Sequence, residues 1–141
     1  MSQREIVRGL AALVLMVLTA CSGNSGPDGT GNGSCSLMEA TASLGSVVPV
    51  GATEVCLDFG PSVTDTAATQ ACSTAMGTYS ATASCPSANR VGRCEESAKS
   101  SSGETAALTV NFYPPTAASD IQSACNMENG MNGVTATYTA N

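Results

Sequence analysis

Histidine and tryptophan are absent from the 141 residues, aromatic residues make up 4%, and only five side chains are cationic. Without histidine there is no Ser-His-Asp triad, no Cys-His pair and no imidazole metal ligand. No Cys-x-x-Cys pair occurs, so zinc-type spacing and a thioredoxin-like redox motif are both missing. The glycine-rich stretches do not stand between a strand and a helix, so no phosphate loop is implied. The scarcity of Lys and Arg argues against nucleic acid and against a polybasic membrane patch. Nothing in the composition calls for a cofactor.

Long apolar runs are also missing. The main one, from Leu10 to Leu18, falls short of the roughly 20 residues a membrane-spanning helix needs. It follows Arg4 and Arg8, and a basic start before a short apolar core is the layout of a bacterial signal peptide, expected over residues 1–20. Leu18-Thr19-Ala20-Cys21 resembles the lipobox of bacterial lipoproteins, in which the cysteine is acylated and becomes the first residue. An ordinary cleavage site would place a small residue where Leu18 stands. The resemblance implies a lipid anchor on Cys21, and several acyl chains hold a protein firmly where one is marginal. Ser22 after the cysteine favours the outer over the inner membrane, facing periplasm or cell surface. Residues 22–34 are rich in Gly, Ser and Asn, a flexible tether reaching about 20 Å. Asp28, Thr30, Asn32, Gly33 and Glu39 fall on EF-hand loop positions, but Thr30 breaks the pattern and no helix precedes it, so no calcium loop is expected.

Removing residues 1–20 leaves Arg90, Arg93 and Lys99 against ten acidic groups, a formal charge of −7. The apolar residues of the body are mostly Ala and Val, a thin core for its size. Six cysteines remain beyond Cys21: Cys35, Cys56, Cys72, Cys85, Cys94 and Cys125. An even number in an exported chain implies three disulfides, each contributing about 2–4 kcal/mol.

The chain also repeats itself. Val55–Gly77 aligns without gaps on Leu108–Gly130, with Phe59, Pro61, Ala71, Cys72 and Gly77 meeting Phe112, Pro114, Ala124, Cys125 and Gly130. Val55-Leu57-Phe59 and Leu108-Val110-Phe112 alternate as half-buried strands do. Residues 65–77 then carry Ala68, Ala71, Cys72, Ala75 and Met76 on one helical face, with Thr64 or Asp65 as N-cap and Gly77 as the left-handed stop. Ile121, Ala124 and Cys125 repeat that face, and Gly130 the stop. A closing strand follows each helix, and a cysteine-bearing strand precedes each unit. The expectation is a small disulfide-stabilised α+β fold of two tandem strand-strand-helix-strand modules packed together, residues 35–85 and 86–141. Equivalent bonds would be Cys35–Cys72 and Cys94–Cys125, leaving Cys56–Cys85, with Cys85–Cys94 across a short loop as the alternative.

Arg90 and Arg93 stand in the joint Cys85-Pro-Ser-Ala-Asn-Arg-Val-Gly-Arg-Cys94. They are expected to form surface ion pairs with Glu95 and Glu96, and contact with a phosphate or carboxylate ligand is the other use for them. This joint, the preceding strand and the later Phe112-Tyr-Pro-Pro segment resemble small cysteine-rich lipoproteins of myxobacteria, over residues 66–130, about half the chain. The resemblance implies an exported lipoprotein and names no ligand.

Three classes of function follow. A binding or structural interaction module at the cell envelope is expected, touching the membrane through its lipid and another envelope protein or a surface polymer through its body. A hydrolase would have to use carboxylates, with Glu54 and Asp58 the available pair. A thiol- or metal-dependent role would require cysteines outside disulfides.

Overall fold

The computed structural model describes residues 33–38, 54–99, 103–130 and 133–141. Signal segment, Cys21, residues 22–32 of the tether and all of the EF-hand coincidence except Gly33 lie outside the described residues; the expected tether ends too late, because Ser34 is buried and opens β1. The elements are β1 (Ser34–Met38), β2 (Glu54–Phe59), α1 (Asp65–Thr74), β3 (Thr78–Ser80), β4 (Gly92–Lys99), β5 (Thr105–Phe112), α2 (Ala118–Glu128) and β6 (Val134–Ala140). The fold is α+β: one six-stranded sheet in the order β3-β1-β2-β5-β4-β6, every pairing antiparallel.

Both helices cover the same face. Alternate residues of the strands, including Leu37, Val55, Leu57, Phe59, Leu108, Val110 and Phe112, form a single buried cluster with Ala67, Ala68 and Ala71 of α1 and Ile121 of α2. The alanines let α1 lie close on the sheet, where its Cys72 bonds Cys35 of β1; Cys125 of α2 likewise bonds Cys94 of β4. The third disulfide, Cys56–Cys85, lies on the opposite face with Tyr113. Cα separations are 5.6, 5.7 and 5.7 Å, within the range a disulfide spans. Phe59 meets Tyr79 edge to face at 6.2 Å.

The sheet reads alike from either edge. β1 lies between β3 and β2, and β4 between β6 and β5. At the β2–β5 centre Leu57 faces Val110, with Val55↔Phe112 on one side and Phe59↔Leu108 on the other. Cys35 is flanked by Leu57 and Tyr79, and Cys94 by Val110 and Tyr138. A side chain added at Gly33 would strike the Tyr79 ring; one at Gly92 would meet the Tyr138 ring at 2.9 Å.

Helix ends differ from the sequence expectation in one place. Thr64 is the N-cap of α1, its hydroxyl accepting from Ala67 N–H at 3.2 Å. The left-handed residue after α1 is Met76, with φ 56°, and not Gly77; Met76 thereby leaves the apolar face expected of it and stands 71% exposed. Gly77 is required by space instead: a Cβ there would lie 2.5 Å from both Cys35 Sγ and Leu37 Cδ2. After α2 the stop is Gly130, with φ 87°.

Candidate functional site

The outer face of the sheet falls into two parts. Over β2 and the Asn111 end of β5 it is met by the joint, through Cys85, Pro86 and Arg90. Cys85 N–H donates to Asp58 Oδ1 at 2.8 Å, and Asn111 Nδ2 donates to Asp58 Oδ2 at 2.9 Å. Arg90 Nη1 donates to Asn111 Oδ1 at 3.0 Å, while its Nε and Nη2 both donate to Asn141 Oδ1 at 3.0 and 2.9 Å. Tyr113 donates to Pro86 O at 2.6 Å, and burial, then the Asp58 charge, hold its hydroxyl above the ordinary range. Arg90 therefore straps the joint and the last residue onto β5. Its hydrogen-bonding edge faces protein.

Over β4 and β6 the outer face is open. Strand alternation turns Glu95 and Ser97 of β4, Ala107 and Thr109 of β5, and Thr135 and Thr137 of β6 outward, and they line a shallow depression of about 340 Å³. Cross-strand register sets Thr109, Glu95 and Thr137 in one row and Ala107, Ser97 and Thr135 in the next. Arg93 lies beside it, its Nε 2.9 Å from Glu95 Oε1. That nitrogen has no hydrogen-bond partner, so the contact is an ion pair off the N–H direction.

Glu96 departs from expectation. Placed among surface acids by the sequence reading, it is only 3% exposed, because in β4 it shares the inner face with Gly92, Cys94 and Ala98. Opposite it, from the last residue of α2, comes Glu128, 4% exposed. Cys94 Sγ and one oxygen of each carboxyl lie within 4.8 Å of one another. Both oxygens of Glu96 and Oε2 of Glu128 have no hydrogen-bond partner. Burial foremost, and the neighbouring carboxyl with it, pushes Glu96 far above the ordinary carboxylate range; burial raises Glu128 as well. The cluster does not make a metal centre: the Cys94 sulfur is spent in a disulfide, and two carboxyls alone fall short of the oxygen shell a hard cation takes.

The remaining candidates are accounted for. Glu54 is exposed at the start of β2 and Asp58 is held by Cys85 and Asn111. Four residues of strand set their Cα atoms about 13 Å apart. All six body cysteines are in disulfides, which leaves no thiol for redox or metal chemistry. Tyr79 donates to Asp65 Oδ1 at 2.9 Å; burial first, then that carboxylate, push it up to about 12. Among the described residues no helix is long and apolar enough to cross a membrane, and three disulfides are consistent with an exported protein. Comparison with protein families, with curated proteins and with solved structures finds no match.

Proposed function

We propose that this is an exported, lipid-anchored protein of the bacterial cell envelope whose body is an interaction module, and that the open face of β4, β5 and β6 touches another envelope protein. One observation carries the reading: helices and core cover one side of the sheet, while the free part of the other is a shallow, hydroxyl-rich surface. No aromatic ring lines that depression, which favours a protein over a sugar polymer, for which a stacking platform would be expected. Leu18-Thr19-Ala20-Cys21 supports the anchor, and the disulfides support an oxidising compartment.

We also infer that the body comprises two tandem related modules, residues 35–85 and 86–141. The symmetric strand order, the central register, the matched Gly33/Gly92 and Tyr79/Tyr138 contacts and the equivalent Cys35–Cys72 and Cys94–Cys125 bonds support this.

The test is photo-crosslinking in intact envelopes from benzoylphenylalanine at Thr137 or Thr109, with Met76 on α1's side as control. Discrete adducts from the threonine positions alone support the reading. Adducts equally from Met76, or none from the threonines in protein whose intact mass shows an acylated Cys21, overturn it.

A further inference from the structure

Glu96 and Glu128 serve neither the open face nor the joint. Glu96 lies two residues beyond Cys94 along β4, and Glu128 three beyond Cys125 along α2. The same steps from Cys35 and Cys72 reach Leu37 and Ala75, 1% and 2% exposed. The fold therefore closes at this place with apolar side chains, and the two carboxyls are a departure that it does not require. Facing each other in an apolar wall, both cannot ionise at small cost. At least one proton must be held for the wall to close.

We propose that Glu96 and Glu128 form a proton-dependent latch: while the pair holds a proton, the last turn of α2 stays closed on β4 and β6, and when both carboxyls ionise that turn lifts away. The Cys94–Cys125 bond keeps the rest of α2 on the sheet. Asn129 N–H donates to Cys125 O at 3.3 Å, Gly130 N–H to Val134 O at 2.8 Å, and Ala136 N–H to Asn129 Oδ1 at 3.2 Å.

Among the described residues, no basic side chain of β4, β5, β6 or α2 lies on the buried side with the pair. On β4, Arg93, Glu95 and Lys99 alternate to the outer face. β5 contributes Ala106, Leu108 and Val110, and β6 contributes Val134 and Ala136. Of the titratable groups on that inner face, Tyr79 stands at the far edge beside Cys35, and Tyr138 on β6 leans its ring over Gly92, away from Glu96. Asp120, the other carboxyl of α2, stands exposed in the first turn. The negative end of the helix dipole at Glu128 acts in the same direction as burial. Both carboxyls bind protons more tightly closed than open, so rising pH opens the latch.

Hydrogen exchange on the oxidised protein tests this, at mildly acidic and mildly alkaline pH, corrected for intrinsic base-catalysed rates. Protection of Asn129, Gly130 and Ala136 amides should fall about tenfold or more in the wild type, the change one unit of carboxyl pKa allows. It should stay flat in Glu96→Leu/Glu128→Ala and in the uncharged isostere Glu96→Gln/Glu128→Gln, while α1 amides are indifferent to pH in all three. Flat protection in the wild type, or a loss spread evenly over the sheet, would overturn the latch. So would protection restored at alkaline pH by millimolar calcium or magnesium in the wild type alone, since the pair would then serve a cation.

Discussion

At corresponding places beside corresponding disulfides, one half of this sheet is closed by Leu37 and Ala75 and the other by Glu96 and Glu128. The halves differ elsewhere in the same sense. α1 has a side-chain N-cap in Thr64, whereas Ala117 begins α2 without one. Gly77 is wedged against a disulfide, whereas Gly130 has open space around it. An extra bond, Cys56–Cys85, belongs to the first half only. The first half is built for closure, and the second carries the features that closure does not need. Two halves of one sheet thus carry different interiors, each with a disulfide fixing its helix to a strand.

The largest expected effect tests whether the bond or its surroundings holds each half. The bonds close loops of 37 and 31 residues, so chain entropy alone assigns each about 4 kcal/mol. Denaturant melts of Cys35→Ala/Cys72→Ala and Cys94→Ala/Cys125→Ala should therefore give nearly equal losses. A markedly larger loss in the first would show that its apolar packing depends on the bond.

Making the second half like the first is the next step. Glu96→Leu/Glu128→Ala should raise stability by about 1–4 kcal/mol at mildly alkaline pH, as replacing buried ionisable groups with apolar ones does. The gain should shrink toward nothing near pH 4. The sign follows from proton uptake: unfolded Glu titrates near 4.3, both carboxyls are raised in the folded state, and the folded protein therefore loses stability as pH rises through neutral. Melts across pH should slope in the wild type and lie flatter in the variant.

The two glycines separate crowding from backbone conformation. Gly77→Ala drives a methyl into Cys35 Sγ and Leu37 and should lose about 1–3 kcal/mol, as overpacking does. Gly130→Ala meets no atoms but must keep φ 87°, and should lose about 1–2 kcal/mol. The caps give the smallest effect. Thr64→Ala should lose about 1 kcal/mol, and Ala117→Asp should gain up to the same amount, because Ala117 already has the extended cap backbone. Thermal melts of both would show whether the helices are equally dependent on their first turns.

Strands and helices were legible in the sequence because period-two and helical patterns coincide there with turn residues, as at Val55-Leu57-Phe59 and Ala68-Ala71-Cys72. The joining of β2 to β5 at the sheet centre was not, since an alternating strand does not name its neighbour. Glu96 was missed for a simpler reason: beside Glu95 and two arginines it looks like one of a charged pair. Two spacings could have placed it. A cysteine bonded to the covering helix marks the inner face of its strand, so Cys94 puts Glu96 inside and Glu95 outside; Cys125 does the same for Glu128, one helical turn on. Arg90 was equally opaque, because Asn111 and Asn141 lie far along the chain and meet it only in the folded sheet.

β1 has a further consequence, a mechanical one. It is the first described strand, yet it is bonded on both sides, by β2 and β3, and its second residue is joined to α1. A pull applied through the preceding segment reaches Cys35 after a single strand residue and passes through sulfur into Cys72. The strand cannot be peeled from the sheet past that point, and the 37-residue span between the two cysteines cannot lengthen under load. Whatever the body holds on its far face, a force from the chain's start is delivered to a covalent joint in the core before it can unzip a row of hydrogen bonds.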